Sequence, residues 1–251
     1  MTITMNALKE RMRKKQLYIV VVIGALLVAL CGSGSTTISV QGEEISGFAN
    51  TLMMFNVIVN AVGCLLALLL SMSTIPTEYD EKRSHLVWSK GISQSKYHFQ
   101  LVIANVLSSL AAAAILYAAI GIFMITTGES SSLKYIVPAF LILSINVIMI
   151  SALTSVLSVK LPAAVTGLIV GGVLLVGIGH SLIEMYATTL GGFSEKILNA
   201  ILKVMPNLHE IQSQATLLVI GNGVDGKILL KGVVIIAIAF VGVLVIKRKE
   251  A

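Results

Sequence analysis

The chain has 251 residues, of which 56% are hydrophobic and only 12% are charged, and its mean hydropathy is +0.94. Soluble domains carry about a quarter charged residues, so a single globular core cannot hide this much apolar surface and lipid must be part of the solvent. The net charge of +6 comes from 18 Lys and Arg against 12 Asp and Glu. In a membrane protein, basic residues held on the inner side explain this excess more simply than a nucleic-acid partner does.

Six apolar stretches are each long enough to cross a bilayer, whose hydrocarbon core of about 30 Å needs about 20 helical residues. They cover residues 16–34, 48–75, 99–127, 136–159, 163–183 and 228–246. The second and third exceed the required length, which predicts tilt or extension beyond the bilayer. We predict an all-α membrane protein with six transmembrane helices, forming a single transmembrane domain over residues 1–251.

The first stretch also resembles a lipoprotein signal, because a basic segment and an apolar run precede Cys31. Such a signal requires a small residue before the cysteine, and Leu30 is not small, so we favour a transmembrane helix. Cys31 and Cys64 both lie in apolar stretches, which predicts free thiols rather than a disulfide. No Cys and His cluster has the spacing of a zinc site, so no metal is expected.

The distribution of Lys and Arg predicts that both termini lie in the cytoplasm. With that orientation, 13 of the 18 basic residues are inside: five in residues 1–15, four in residues 76–97, Lys160, and three after the last stretch. The remaining five are outside. Residues 1–15 then form a cytosolic or interfacial helix, and the polar segment 76–97 lies in the cytoplasm.

Residues 76–97 separate the second and third apolar stretches and carry a dense set of charges. These are Glu78, Asp80, Glu81, Lys82, Arg83, Lys90 and Lys96. Leu86 and Trp88 lie in an apolar run that favours a short helix, and such a helix can bind in a groove of a partner. An aromatic anchor would supply affinity while the surrounding charges set the register. The alternative is a solvated loop with a tryptophan at the lipid interface.

The order of residues in this segment resembles the cytosolic loop of the ABC-2 family of transport permeases. The matching positions are Glu78 or Glu81, Leu86, Gly91, Ile92-Ser93 and Tyr97. Arg83-Ser84 stands where Gly-Thr is common, and Gly91 stands where Pro is common. The layout of six stretches, with amphipathic pieces between the fifth and sixth, resembles that family as well.

The resemblance implies the permease subunit of an exporter in the bacterial cytoplasmic membrane. It implies two membrane subunits, identical or paralogous, each docked on a separate ATPase subunit that binds ATP and Mg²⁺. Relatives of this kind serve bacteriocin self-immunity and drug efflux, so we expect an amphipathic substrate such as a peptide antibiotic, a lipid or a drug. The residues expected to couple to the ATPase are Glu78, Glu81, Arg83, Leu86, Trp88, Gly91, Ile92 and Tyr97.

Residues 221–228 contain the glycines and the lysine of a phosphate-binding loop. Ile228 occupies the position whose hydroxyl should hold Mg²⁺, so we predict a simple turn before the last stretch. No nucleophile elbow and no carboxylate pair within an apolar stretch indicates an enzyme. A pump would therefore need a separate ATPase, and the alternative function is a membrane scaffold or immunity factor that sequesters a ligand without ATP.

Polar residues within the apolar stretches should face the helix bundle or a cavity. The candidates for lining a translocation path are Asn56, Asn60, Ser71, Asn105 and Asn146. Hydrogen bonding between helices, worth about 0.6 kcal/mol each, is the alternative role.

The segment 190–227 is predicted to lie outside as amphipathic pieces that are interfacial or re-entrant, the first of them ended by Pro206-Asn207. His180 and Glu184, four residues apart near its start, indicate an interfacial ion pair or, less simply, a proton or metal site.

Overall fold

The structure is a computed structural model that describes residues 2–13, 22–24, 26, 38–40, 43–45, 48–128 and 130–247. Most of the predicted first transmembrane stretch, together with Cys31, lies outside the described residues. Within them the chain is almost entirely helical, apart from one short hairpin in which Ile38 is opposite Ile45.

The helices and strands are as follows, in chain order. They are α1 (Thr2–Arg13), β1 (Ile38–Val40), β2 (Glu43–Ile45), α2 (Phe48–Met72), α3 (Thr74–Asp80), α4 (Arg83–Trp88), α5 (Gln94–Thr126), a 3-10 helix (Ser130–Tyr135), α6 (Ile136–Ser158), α7 (Ala163–Ile178), α8 (His180–Leu190), α9 (Gly192–Val204), α10 (Leu208–Ile220) and α11 (Gly226–Val245).

Four helical segments of the described chain are long and apolar enough to cross a membrane, and a fifth is counted if the bent pair α7 and α8 forms one span. The four are Leu52–Asp80, Gln94–Thr126, Ser131–Ser158 and Gly226–Val245. These helices confirm the prediction of a helical membrane protein. The count of six stays a prediction, because the first stretch lies largely outside the described residues.

Helix α5 is the longest element, with 33 residues. At 1.5 Å per residue it extends about 50 Å, well beyond a hydrocarbon core of about 30 Å. Small side chains line its buried face, among them Ala104, Ser108, Ala112 and Ala113. Small residues let helices approach closely in a membrane, and α5 packs against both α2 and α6.

The predicted fifth stretch is not one straight helix. Its chain bends by 72° between α7 and α8, at Gly179. Two residues earlier, Gly177 lies against the segment that follows α9: a Cβ built there would lie 2.8 Å from the Pro206 carbonyl oxygen and from the Leu208 side chain. The 16 residues of α7 extend about 24 Å, so α7 alone is shorter than the hydrocarbon core.

One end of the bundle brings together parts of the chain that are far apart in sequence, and we call it the α1 end. Its buried cluster comprises Ile75, Tyr97, Leu101, Val102, Val159 and Val243, with Ile3 and Ala7 of α1 packed against it. The Ser95 hydroxyl donates to the Leu244 carbonyl oxygen at 2.9 Å. Helix α1, the segment 74–97 and the C-terminal end of α11 therefore share the same end of the molecule.

Helix α10 packs into the bundle rather than lying on its surface. It contacts α6, α2 and α7 and buries residues on several of its faces, including Leu208, Ile211, Gln212, Ala215 and Val219. Of the two arrangements that the sequence left open for this piece, burial against the bundle rules out a purely interfacial helix. Gly221, with φ of 90°, ends α10 in the left-handed conformation that favours glycine.

Candidate functional site

The segment predicted to contact an ATPase folds as two short helices joined by tight turns. Ser73 alone separates α3 from α2, and Pro76 is tolerated because it lies in the first turn of α3, where its missing N–H is not needed. Lys82 takes a left-handed φ of 56° between α3 and α4. After α4, Gly91 has φ of 75° and its N–H donates to the Trp88 carbonyl oxygen at 2.8 Å.

Gly91 stands where proline is common in the pattern that residues 76–97 resemble. Proline has φ fixed near about −65°, so it cannot adopt the positive φ that Gly91 has here. Ser84, at the other departure, is completely buried.

Arg83 is the centre of a charge cluster that joins three elements. Its guanidinium donates to a Glu10 carboxylate oxygen of α1 at 3.1 Å and lies 3.6 Å from Glu78 of α3. It also pairs with Glu81 in the turn before α4. Burial by itself would lower the pKa of the Arg83 guanidinium, but these three carboxylates outweigh it and hold the pKa above its usual value.

Glu78 connects this cluster to α5. Its side chain is mostly buried, at 15% exposure, and its carboxylate accepts a hydrogen bond from the Tyr97 hydroxyl on the first turn of α5. Glu78 and Tyr97 therefore face inward, so their part in any coupling is to hold the segment in place.

An aromatic group lies on the other side of α3. The Tyr79 ring lies 5.6 Å from the half-buried Trp88 ring, measured between centroids. The Tyr79 hydroxyl accepts from the Gln94 amide at 2.7 Å and lies 2.8 Å from His98 Nε2. These contacts fix α4 against the start of α5.

The remaining predicted coupling residues divide between anchoring and exposed positions. Ile92 packs against the buried cluster of the α1 end, as does the neighbouring Val87. Glu81, Lys90 and Gly91 are exposed at the two ends of α4. Leu86 lies in α4, but its side chain is outside the described part of the structure.

Arg11 is a residue of this region that sequence reasoning did not single out. It is 9% exposed, and one of its guanidinium nitrogens donates to the Leu70 carbonyl oxygen at 2.8 Å, to Thr74 Oγ1 at 2.6 Å and to Asn105 Oδ1. Burial lowers the pKa of Arg11 to about 10, with Glu10 acting in the opposite direction, so it is charged at neutral pH. Nothing local in the sequence distinguishes it from Lys9 or Arg13.

The polar residues predicted to line a path form two groups, both buried inside the helix bundle. At the α1 end, Asn105 accepts a hydrogen bond from Arg11 and donates one to Ser155 Oγ at 2.8 Å. The hydroxyl oxygens of Ser71 and Ser151 lie 2.9 Å apart. Whether these residues line a translocation path stays a prediction.

The second group, which we call the amide cluster, comprises Asn56, Asn60, Asn146 and Thr216. Asn146 donates to Asn60 Oδ1 at 3.1 Å and to the Leu208 carbonyl oxygen at 2.8 Å. Asn56 donates to Thr216 Oγ1 at 3.1 Å. The cluster thus connects α2 and α6 to α10.

His180 and Glu184 line a cleft of about 890 Å³ at the end opposite α1, between α8, α9, α10 and α11. Among the ion pairs of the described residues, none joins His180 to Glu184, so the favoured interpretation of an interfacial pair is wrong. The imidazole instead lies 3.4 Å from the Leu202 carbonyl oxygen and 3.3 Å from the Asn207 amide nitrogen.

Within the described ranges, no three His, Cys, Asp or Glu side chains are grouped as a metal site would require. The segment that carries the glycines and lysine of a phosphate-binding loop has no helix until Gly226, and the Asp225 carboxylate caps α11 by accepting from the Lys227 backbone N–H at 2.9 Å. It is the turn that the sequence predicted.

No family model matches this chain, and no curated protein matches it either. The resemblance of residues 76–97 to the ABC-2 permeases therefore stays a prediction that rests on the sequence pattern.

Proposed function

We propose that this chain is the transmembrane subunit of an ATP-binding-cassette exporter in the bacterial cytoplasmic membrane. A separate ATPase subunit, present in two copies, binds ATP and Mg²⁺, and a second membrane subunit completes the transporter. The observation that carries the proposal is the construction of residues 74–97, in which two short helices are braced against the bundle while the ends of α4 remain exposed.

The bracing gives a force on α4 a route into the membrane helices. Through α3, with only Ser73 between, the segment continues into α2. Through Glu78 and Tyr97 it is tied to α5, and through Arg83 and Glu10 it is tied to α1. A free loop would absorb a displacement, whereas this segment would pass it to α2 and α5 together.

The charges support placing this end in the cytoplasm. Of the described Lys and Arg residues, the α1 end holds those of α1, of the segment 76–97, Lys160 and Lys247, and the opposite end holds Lys134, Lys196, Lys203, Lys227 and Lys231. Basic residues favour the cytoplasmic side of short loops. With that orientation α4 faces ATP and soluble proteins, and both termini are inside.

The transported molecule is amphipathic, in the class of peptide antibiotics, lipids and drugs. The support is the apolar surface of α9 at the opposite end, where Phe193 is 79% exposed and Val204 is 81% exposed. A ligand that partitions into the outer leaflet would meet this surface first.

The test is a pull-down of the tagged full chain from native membranes in mild detergent, with co-purifying proteins identified by mass spectrometry. A stoichiometric cytosolic protein with an intact phosphate-binding motif is the expected result. The variants Lys90→Glu and Trp88→Ala should release it, since they change the exposed turn and the aromatic residue of α4. The matched control is Lys160→Glu, an exposed lysine at the same end but outside the segment.

Two results would contradict the proposal. If the chain is active in cells but co-purifies with no ATPase, it would instead be a scaffold or immunity factor that sequesters its ligand. Release of the ATPase by the Lys160 variant as readily as by the α4 variants would mean that the docking surface is elsewhere.

A further inference from the structure

The cleft between α8, α9, α10 and α11 contains charged groups that no described residue neutralises. Lys203 of α9, Lys231 of α11 and Glu184 of α8 all line it and are exposed. None of the three makes a hydrogen bond or ion pair with the described part of the chain. Glu210, the other carboxylate of the cleft, accepts from the Asn207 side chain at 3.0 Å.

The position of Lys231 along α11 argues against a side chain that only contacts water. It lies five residues after Gly226, the first residue of a candidate membrane span, which is roughly 8 Å along the helix axis. Ionisable residues within membrane spans are costly, and they generally face a cavity or a partner. Lys231 lines the cleft, which is such a cavity, but it has no negatively charged partner among the described residues.

Apolar side chains form part of the wall and rim of the cleft. Met149, Ile211 and Ile235 form part of its wall. Val204 and Leu230, at 81% and 63% exposure, stand beside the two lysines on α9 and α11. Leu230 lies on a candidate membrane span, where an exposed apolar side chain is suited to contact with lipid tails.

We propose that this cleft binds one phospholipid with an amine-bearing headgroup. The phosphate contacts Lys203 and Lys231, the amine contacts Glu184, and the acyl chains leave along the apolar surface of α9 and α11. The volume is within the range of about 300–1,000 Å³ typical of small-ligand sites, which suits a headgroup and the first part of its chains and is too small for a folded peptide.

This site does not depend on the proposed ATP-driven export, because it is built entirely from residues at the end opposite α4. It is also next to a helix that could respond to it. Glu210 and Ile211 of α10 line the cleft, while Leu208 and Thr216 of the same helix accept hydrogen bonds from Asn146 and Asn56 of the amide cluster.

The test measures binding of dihexanoyl phosphatidylethanolamine to the purified full chain by calorimetry, with no ATPase present. We expect saturable binding that Lys203→Ala and Lys231→Ala each weaken by about tenfold, the scale of losing one charge-assisted contact. The matched controls are Lys196→Ala on α9 and Lys227→Ala on α11, exposed lysines that do not line the cleft. Both should bind as the unmodified chain does.

A second comparison tests the amine. The unmodified chain should prefer the phosphatidylethanolamine over dihexanoyl phosphatidate, which lacks the amine, and Glu184→Gln should abolish that preference while leaving phosphatidate binding unchanged.

Four results would overturn the assignment. The first is equal binding of dihexanoylglycerol, which has no charged headgroup, and the second is equal binding of phosphoethanolamine, which has no chains. The third is equal weakening in the control lysine variants, which would indicate diffuse surface charge. The fourth is the absence of any preference for the amine.

Discussion

The buried guanidinium of Arg11 illustrates how a single residue can fasten a peripheral helix to a membrane bundle. Arg11 donates to Thr74 Oγ1, and Thr74 in turn lies 2.9 Å from the Leu70 carbonyl oxygen and 3.0 Å from Asn105 Oδ1. One hydroxyl has one proton, so Thr74 alone can satisfy only one of these two acceptors. Arg11 supplies the other donor.

We therefore expect Arg11→Ala to lower the free energy of unfolding by about 1–3 kcal/mol, since a buried acceptor is left without a donor. Arg13→Ala, at an exposed position of the same helix, should change it by less than about 0.5 kcal/mol. Thermal unfolding in detergent, followed by circular dichroism, measures both. The pKa of Arg11 is about 10 in the folded state and higher in the unfolded state, so the side chain is protonated in both states near neutral pH. The decrease in the free energy of unfolding caused by Arg11→Ala should therefore be equal at about pH 6 and about pH 8. An equal effect of the two substitutions would remove the special role of Arg11.

Asn146 offers a direct test between the two roles left open for the polar residues of the spans. If Asn146 only joins helices, Asn146→Leu should lower the free energy of unfolding by about 0.6–1.7 kcal/mol, the range measured for interhelical hydrogen bonds in membranes. Transport per folded molecule should then be unchanged. If it lines a path, transport should fall with little change in stability. Ser144→Ala is the control, because among the described residues Ser144 hydrogen-bonds only to Leu141 of its own helix. Unfolding in a denaturing detergent and transport in cells together give the answer, and no change in either would exclude both roles.

At the scale of elements, α7 packs closely against the start of α10 at Gly177, just before the bend between α7 and α8. Gly177 permits the contact with Pro206 and Leu208, and a methyl group there would have to displace a backbone carbonyl. We expect Gly177→Ala to cost about 1–3 kcal/mol, typical of overpacking, and to lower the melting temperature. Gly171→Ala, on the same helix and with nothing within 4 Å of its built Cβ, should be neutral. A neutral Gly177 variant would mean that α10 is not held by this contact.

Much of this architecture is predictable from hydropathy, because a span must be continuously apolar. The stretch predicted over residues 136–159 is α6 to within one residue, and the stop at Pro206-Asn207 follows the end of α9 at Val204. The segment 76–97 was also expected to contain a short helix, and α4 is that helix. The bend at Gly179 was missed, because glycine also allows membrane helices to pack closely, so its presence in an apolar run does not by itself indicate a bend.

The site itself was only partly predictable, for a physical reason. Charge density identified the segment 76–97, but a sequence pattern does not say which charges face inward. Glu78 and Arg83 were expected together as coupling residues, and only the structure separates the inward Glu78–Tyr97 contact from the exposed Glu81 and Lys90. The surroundings of Arg11 and of the cleft lysines are formed by elements that are distant in sequence. No local sequence signal could therefore identify these residues.

On the scale of the whole molecule, the two ends of the bundle have different surfaces. The α1 end holds α1, α4 and the end of α11, with opposite charges paired around Arg83. The other end holds α9, the turn at 221–225 and a cleft whose lysines have no partner among the described residues. The two proposals place different requirements on these ends. Docking of an ATPase requires the α1 end to lie in the cytoplasm, and the lipid site requires the cleft to lie at membrane depth.

The orientation in the membrane can be measured with single cysteines. Cys31→Ser and Cys64→Ser give a background without thiols, and one cysteine is then placed either at Lys90, in the exposed turn after α4, or at Asn222, in the exposed turn before α11. Because basic residues concentrate at the α1 end, we expect an impermeant maleimide to label Asn222→Cys in intact cells and Lys90→Cys only after the membrane is opened. The reverse pattern would place α4 outside, where there is no ATP, and would exclude the proposed coupling. It would leave the lipid cleft intact but assign it to the inner leaflet. Labelling of both positions in intact cells would show that the chain does not separate two compartments as a membrane-spanning subunit must.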